Sequence, residues 1–175
     1  FSTSSAIGDG AALASSSHPT INGNQSNILS TASDLNETSL EQALIDIAGF
    51  KDERGLKIAV RGMKLIIPKE LQFTAERVMN SNLRVGTSDN DINSVRNQSS
   101  IPNGFSVNHY LNDPDAYFIL TSVNSDGEGL KMFERSPMET TMEPEFSTGN
   151  IRYRARERYS FGVSNWRGIF GSQGA

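Results

Sequence analysis

The chain of 175 residues contains no cysteine. That removes disulfide frameworks, thiolate metal sites and cysteine nucleophiles together. Basic residues are missing from the first fifty positions, where Asp9, Asp34, Glu37, Glu41 and Asp46 stand without a Lys or Arg. No apolar run approaches the ~18 residues that a membrane-spanning helix needs. The opening Phe1-Ser2-Thr3-Ser4-Ser5 has neither a basic nor an apolar region of the secretory-signal kind. It also lacks an initiator Met, which suggests a chain that begins partway through a longer product.

Histidine is scarce, and neither His18 nor His109 sits at a metal-ligand spacing. The run Asp89-x-Asp91-x-Asn93 opens like a calcium loop. It then has Ser94 where such a loop needs Gly and Ser100 where it needs a bidentate Glu. His109 with Asp113 or Asp115 lacks any GxSxG nucleophile context. Gly8-Asp9-Gly10 is not followed by the GK[ST] of a phosphate loop. The expectation is a protein that is not an enzyme, with no catalytic, cofactor-binding or metal-binding residues and no cofactor.

What is present is an apolar fraction of 36%, enough for a modest core in one domain or one domain with an attached subdomain. The formal charge of −4 argues against a dedicated nucleic-acid binder. Its distribution is uneven: from Pro144 onward Glu145 and Glu157 face Arg152, Arg154, Arg156, Arg158 and Arg167. An acidic beginning and a basic end suit head-to-tail contacts between copies, and a solvated surface accounts for them as well.

Residues 1–33 are rich in Ser, Gly, Ala and Asn and read as an extended connecting segment. Thr38 and Glu41 make a capping-box pattern before the stripe Leu40, Ala43, Leu44, Ile47 and Ala48, and Gly49 is placed to end that helix. Leu56–Val60 and Leu65–Ile67 read as strands broken at Arg61-Gly62. Pro68 suits the first turn of a second helix reaching about Met79, with Leu71, Ala75, Val78 and Met79 inward. A polar loop spans 80–104, with Gly86 among its turn signals. Strand-like runs return at Phe105–Leu111, Ala116–Thr121 and Leu130–Arg135. The fold class is α+β.

The most regular pattern runs from Ile151 to Val163. Odd positions read Ile, Tyr, Ala, Glu, Tyr, Phe, Val, while the even positions begin Arg152, Arg154, Arg156 and Arg158. A strand sends alternate side chains to opposite faces, so four guanidinium groups line one face over roughly 20 Å at ~3.3 Å per residue. Such a row calls for carboxylates, phosphates or water opposite, and guanidinium pairs bidentately with either anion. A solvated sheet face, a subunit interface using a neighbour's carboxylates, and direct DNA contact all remain open. Tyr153, Tyr159 and Phe161 point away from the arginines, which works against a base-stacking platform.

Several segments, in order, resemble the major capsid proteins of tailed bacteriophages, the Hong Kong ninety-seven-like capsid fold, including the Mu-like major head subunit branch. They include Ala14-Ser-Ser-Ser-His18-Pro19, Ser39-Leu-Glu-Gln-Ala-Leu44, Leu65-Ile-Ile-Pro68 and Gly86-Thr-Ser-Asp-Asn-Asp-Ile-Asn93. Asn108-His-Tyr-Leu111, Gly129-Leu-Lys-Met-Phe-Glu-Arg135, the run from Arg152 to Gly162 and Trp166-Arg-Gly-Ile-Phe-Gly171 complete the series.

The resemblance is to the C-terminal half of such proteins. It implies an axial-domain-like core over 34–128, with the loop 80–104 inside it, and peripheral-domain-like strands over 129–175. The family's N-terminal arm, extended loop and spine helix would lie upstream. It also implies a shell subunit forming hexamers and pentamers of identical copies around packaged double-stranded DNA, with scaffolding, portal or decoration proteins as further partners and no membrane. Its place would be the virion capsid, assembled in the bacterial host cytoplasm. A nanocompartment shell protein of the same fold, a domesticated prophage particle and a nucleic-acid-binding module using the Arg152–Arg158 face are the alternatives.

Overall fold

The computed structural model describes residues 5–84 and 91–175. Its first regular elements are two short antiparallel strands, β1 (His18–Thr20) and β2 (Gly23–Gln25). Between them the chain turns at Ile21-Asn22, and Gly23 takes a φ of +102° that other residues rarely adopt.

The first helix, α1 (Glu37–Ala48), begins two residues earlier than the Thr38 pattern suggests. Asn36 is its N-cap: its side chain accepts from the Ser39 N–H at 2.8 Å, and the Ser39 hydroxyl accepts from the Asn36 N–H at 3.0 Å. The reciprocal box is therefore Asn36 with Ser39, and Glu41 is freed to accept from the Ser94 hydroxyl. Gly49 ends the helix as expected, with right-handed φ of −84° rather than a left-handed turn. Leu40, Ala43 and Ile47 are fully buried, while Leu44 is only partly so.

Leu56–Val60 is not a strand. This stretch follows a turn at residues 52–55 and is tied back by an isolated bridge between Lys51 and Lys57, and Leu56 is exposed. Pairing begins at β3 (Gly62–Ile67), after which Pro68 caps a 3₁₀ turn, Lys69–Leu71, leading into α2 (Gln72–Asn80). Ala75, Val78 and Met79 of α2 are buried, as its spacing requires.

Among the described residues of the polar stretch 80–104 lies a short helix, α3 (Ser94–Asn97), capped by the buried Asn93. Gly86 and Asp89, and with them the opening of the calcium-like run, lie outside the described residues. The later strands are β4 (Phe105–Val107), β5 (Tyr117–Thr121), β6 (Leu130–Pro144), β7 (Ile151–Val163) and β8 (Ile169–Ser172).

Four strands form the central sheet in the order β4-β3-β5-β8, with β3 and β4 parallel and the other neighbours antiparallel. Alternation along β3 and β5 sends Leu65, Ile67, Tyr117 and Ile119 into one core with Leu40, Ile47, Val78, Trp166 and Phe170. β8 was not separable as a strand in the sequence. All four of its residues are buried, so it shows no polar–apolar alternation.

The N-terminal segment is fastened to this body by Asn27, which is wholly buried. Its amide nitrogen donates to the carbonyls of Leu13 at 2.7 Å, Ile169 at 3.1 Å and Trp166 at 3.3 Å, while its oxygen accepts from the Ser15 N–H at 2.8 Å. Among the described residues no helix is long and apolar enough to cross a membrane.

Candidate assembly surface

Among the described residues β6 and β7 pair only with each other, as a two-stranded ribbon inserted in the chain between β5 and β8. Both ends of the ribbon leave the body at one point. Asn124 donates to the Gly168 carbonyl and accepts from the Leu130 N–H at 2.9 Å, and Thr121 donates to the Arg167 carbonyl at 2.6 Å. Gly168 and Gly129 approach so closely that a Cβ at Gly168 would lie 2.9 Å from the Gly129 Cα. At the far end Glu145–Asn150 make the turn, closed by Glu145 N–H to the Asn150 carbonyl at 2.8 Å, with Gly149 at φ +70°. Thirteen residues of β7 at ~3.3 Å each make an arm of roughly 40 Å.

The sequence placed β7 at its observed limits, Ile151–Val163. The strand-like run read from sequence ends at Arg135, whereas β6 continues through Ser136-Pro137 to Pro144. A ribbon has only edge strands, and Pro137 falls at a pair of register shifts between Glu134 and Glu139 where its missing N–H costs no ladder bond. The even positions Met132, Met138 and Met142 were the available signal that the strand continues.

Each of those two shifts adds one residue to β6, so odd positions of β6 face the arginine side before the first shift and again after the second, while Ser136 does so between them. Arg152 stands opposite Glu143, Arg154 opposite Thr141, Arg156 opposite Glu139 and Arg158 opposite Ser136. All four arginines are exposed. Arg152 also reaches Glu145 in the turn, Nη2 to Oε1 2.5 Å, and Thr148 donates to the other oxygen of that carboxylate at 2.8 Å. Two arginines thus have carboxylates of their own ribbon across the strand. Arg154 and Arg158 face hydroxyls.

The opposite face carries Ile151, Tyr153, Tyr159 and Phe161 from β7 with Leu130, Met132 and Met142 from β6, each substantially exposed. Tyr159 and Phe161 meet edge to face, centroids 5.5 Å apart. Phe146, in the turn, is fully exposed. At the root of this face an open groove of about 740 Å³ separates the ribbon from Ile7 and Leu13 of the N-terminal segment. A row of exposed large apolar side chains along one face makes it a candidate contact surface.

The remaining sequence candidates do not gather into a centre. His18 is buried against Asp9, Asn27 and Trp166, and His109 is exposed. Among the described residues no group of three or more His, Asp or Glu side chains is placed to hold a metal ion.

A family model described as phage capsid protein matches residues 2–171. A solved chain described as "Capsid of empty GTA particle computed with C5 symmetry" aligns with 85% of this chain at 13% identity, with a TM-score of 0.43. The alignment covers 49% of that chain, so this chain spans about half its length. No protein with a curated description matches.

Proposed function

The chain belongs to the phage capsid protein family, and from that premise we propose that it is a structural subunit of an icosahedral shell of the tailed-phage or prophage type, close to the Mu-like branch. Identical copies assemble into hexamers and pentamers and enclose double-stranded DNA, with scaffolding, portal or decoration proteins joining the particle in the bacterial cytoplasm. In this reading 34–128 serves as the axial-domain-like core, 129–175 supplies peripheral-domain-like strands of which β8 returns to the sheet of that core, and 1–33 is an extended connecting segment ahead of both.

The observation that supports this best is the ribbon itself. It stands on a well-packed body with large apolar residues along one face and four arginines along the other, all exposed. A two-stranded ribbon is marginal by itself in water, so a partner layer is what gives such an arm its purpose. Contacts between unlike surfaces of identical copies close into rings, which is how a capsomer is built.

The arginine face also suits DNA phosphates. Glu139 and Glu143 interleave with it, however, and repel phosphate where they do. Sedimentation velocity and electron microscopy of the chain, beside the variant Arg154→Glu with Arg156→Glu, separate the two. The variant is expected to remain a folded monomer where the wild type forms oligomers. Normal oligomers from the variant, together with wild-type DNA binding that weakens steeply with salt, would transfer the function to nucleic acid.

A further inference from the structure

Phe146, at the tip of the arm, is an exposed aromatic side chain, and the groove between α1 and α3 is an open apolar cleft with a carboxylate on its lining. The groove, about 400 Å³, is floored by Leu44, Ile45, Ala48 and Val95, and Glu41 stands on its rim, held by the Ser94 hydroxyl. α1 carries Glu37, Glu41 and Asp46 and no basic residue. Arg84 and Arg96, from the segments beside it, are turned elsewhere: Arg84 Nε lies 3.6 Å from Glu37, and Arg96 donates to the Asn80 carbonyl at 2.7 Å and to the Asn82 side chain. Among the described residues that line the groove, Glu41 carries the charge, beside the neutral Ser94, Gln98 and Ser100 and over an apolar floor.

The tip is the reverse. Phe146 is wholly in solvent, and Arg152 beside it is neutralised by Glu145. Arg154, one pleat or roughly 7 Å further along the same face, has only Thr141 across the strand. An aromatic knob flanked by a guanidinium without a carboxylate matches an apolar groove flanked by a carboxylate without a cation. The groove at the root of the arm is a poorer match, because Lys131 lines it.

We infer that the arm tip of one copy docks in the α1–α3 groove of a second copy, Phe146 on the apolar floor and Arg154 against Glu41. This rests on the self-assembly reading and names the two surfaces it uses. They are unlike surfaces, so each copy gives one tip and receives another. Such a contact propagates until it closes into a ring.

The absence of native cysteine makes the test direct. Ser147→Cys beside the knob and Gln98→Cys on the groove lining each supply the sole thiol of a chain. Equal amounts of the two variants, mixed under mild oxidation, are expected to give the mixed disulfide well above either homodimer. Adding Phe146→Ala to the tip variant should lower its yield about tenfold or more, as loss of an aromatic anchor does. Arg154→Glu or Glu41→Arg alone should also lower it, and the two together should restore it.

Sedimentation of the unmodified chain is run alongside. Oligomers without the mixed disulfide overturn the docking and leave self-assembly standing, as does a yield untouched by Phe146→Ala. A monomer at every concentration, with no mixed disulfide, overturns both.

Discussion

The imidazole of His18 lies flat against the indole of Trp166, with ring centroids 4.5 Å apart and planes within 2°. Its two nitrogens are both engaged, Nδ1 with Asp9 Oδ2 at 2.6 Å and Nε2 with Asn27 Oδ1 at 3.1 Å. Asn27 turns its amide nitrogen to three carbonyls, so its oxygen is the atom left for His18, and Nε2 donates. Arg167 reaches the same indole, 4.3 Å from its centroid, while pairing with Glu53 at 3.0 Å. The cluster pins the N-terminal segment to the chain just before β8.

Acid should release that pin. Burial alone would raise the Asp9 carboxyl, but the hydrogen bonds from His18 and from the Ala11 N–H, with the charge of His18, outweigh it and hold its pKa below the usual 3.8. A carboxylate depressed in the folded state adds stability that is present above its unfolded pKa and lost as pH falls through the folded one. Trp166 is the sole tryptophan and reports on the stack directly. Its fluorescence is expected to change as pH falls below about 4, and Asp9→Asn should abolish that transition. Superimposable wild-type and variant profiles would rule the pin out.

α1 sits unusually close to β3. A Cβ placed on Gly62 would meet Leu44 Cδ2 at 2.8 Å and Ile119 Cγ2 at 3.1 Å. Gly62→Ala should therefore destabilise by about 1–3 kcal/mol through overpacking. Leu40→Ala, at a fully buried position, should cost about 2–5 kcal/mol. Leu44→Ala, at a partly buried one, should cost less. Denaturant midpoints at unchanged slope measure all three, and an equal loss at Leu40 and Leu44 would contradict this packing.

Amide exchange should divide the chain sharply. β3 and β5 have neighbours on both sides and a helix above, whereas β6 and β7 have one neighbour each and solvent on both faces. Local opening is easiest where buried contacts are few. In the isolated chain, amides of Thr140–Met142 and Tyr153–Ala155 are expected to exchange well before those of Leu65 and Ile119. Assembly should slow the ribbon selectively, and equal protection in the monomer would refute the difference.

The sequence made some of this legible for physical reasons that differ by element. β7 was readable because one of its faces is charged and the other apolar, so the period of two stands out along thirteen residues. β6 was cut short because Pro137 signals a strand end unless the strand is known to be an edge. The cap of α1 was misplaced because Thr38 with Glu41 and Asn36 with Ser39 both satisfy a capping pattern, and tertiary contact decides by drawing Glu41 to Ser94. The arginine row was visible, but Glu139 and Glu143 opposite it were not. Their alignment depends on the two register shifts in β6. Phe146 and the α1–α3 groove left no pattern, being a turn residue and a gap between elements far apart in the chain.

The clamp of Asn124 on the Gly168 carbonyl and the Leu130 N–H has a consequence for size. Because the arm starts and finishes at one anchor, its length is independent of the body that bears it. Two residues added to each strand would extend it by roughly 7 Å and keep every side chain on its own face. The pleat thus acts as a ruler with a fixed graduation, and under the docking inferred above the spacing between joined copies is a dimension that insertions would reset in steps.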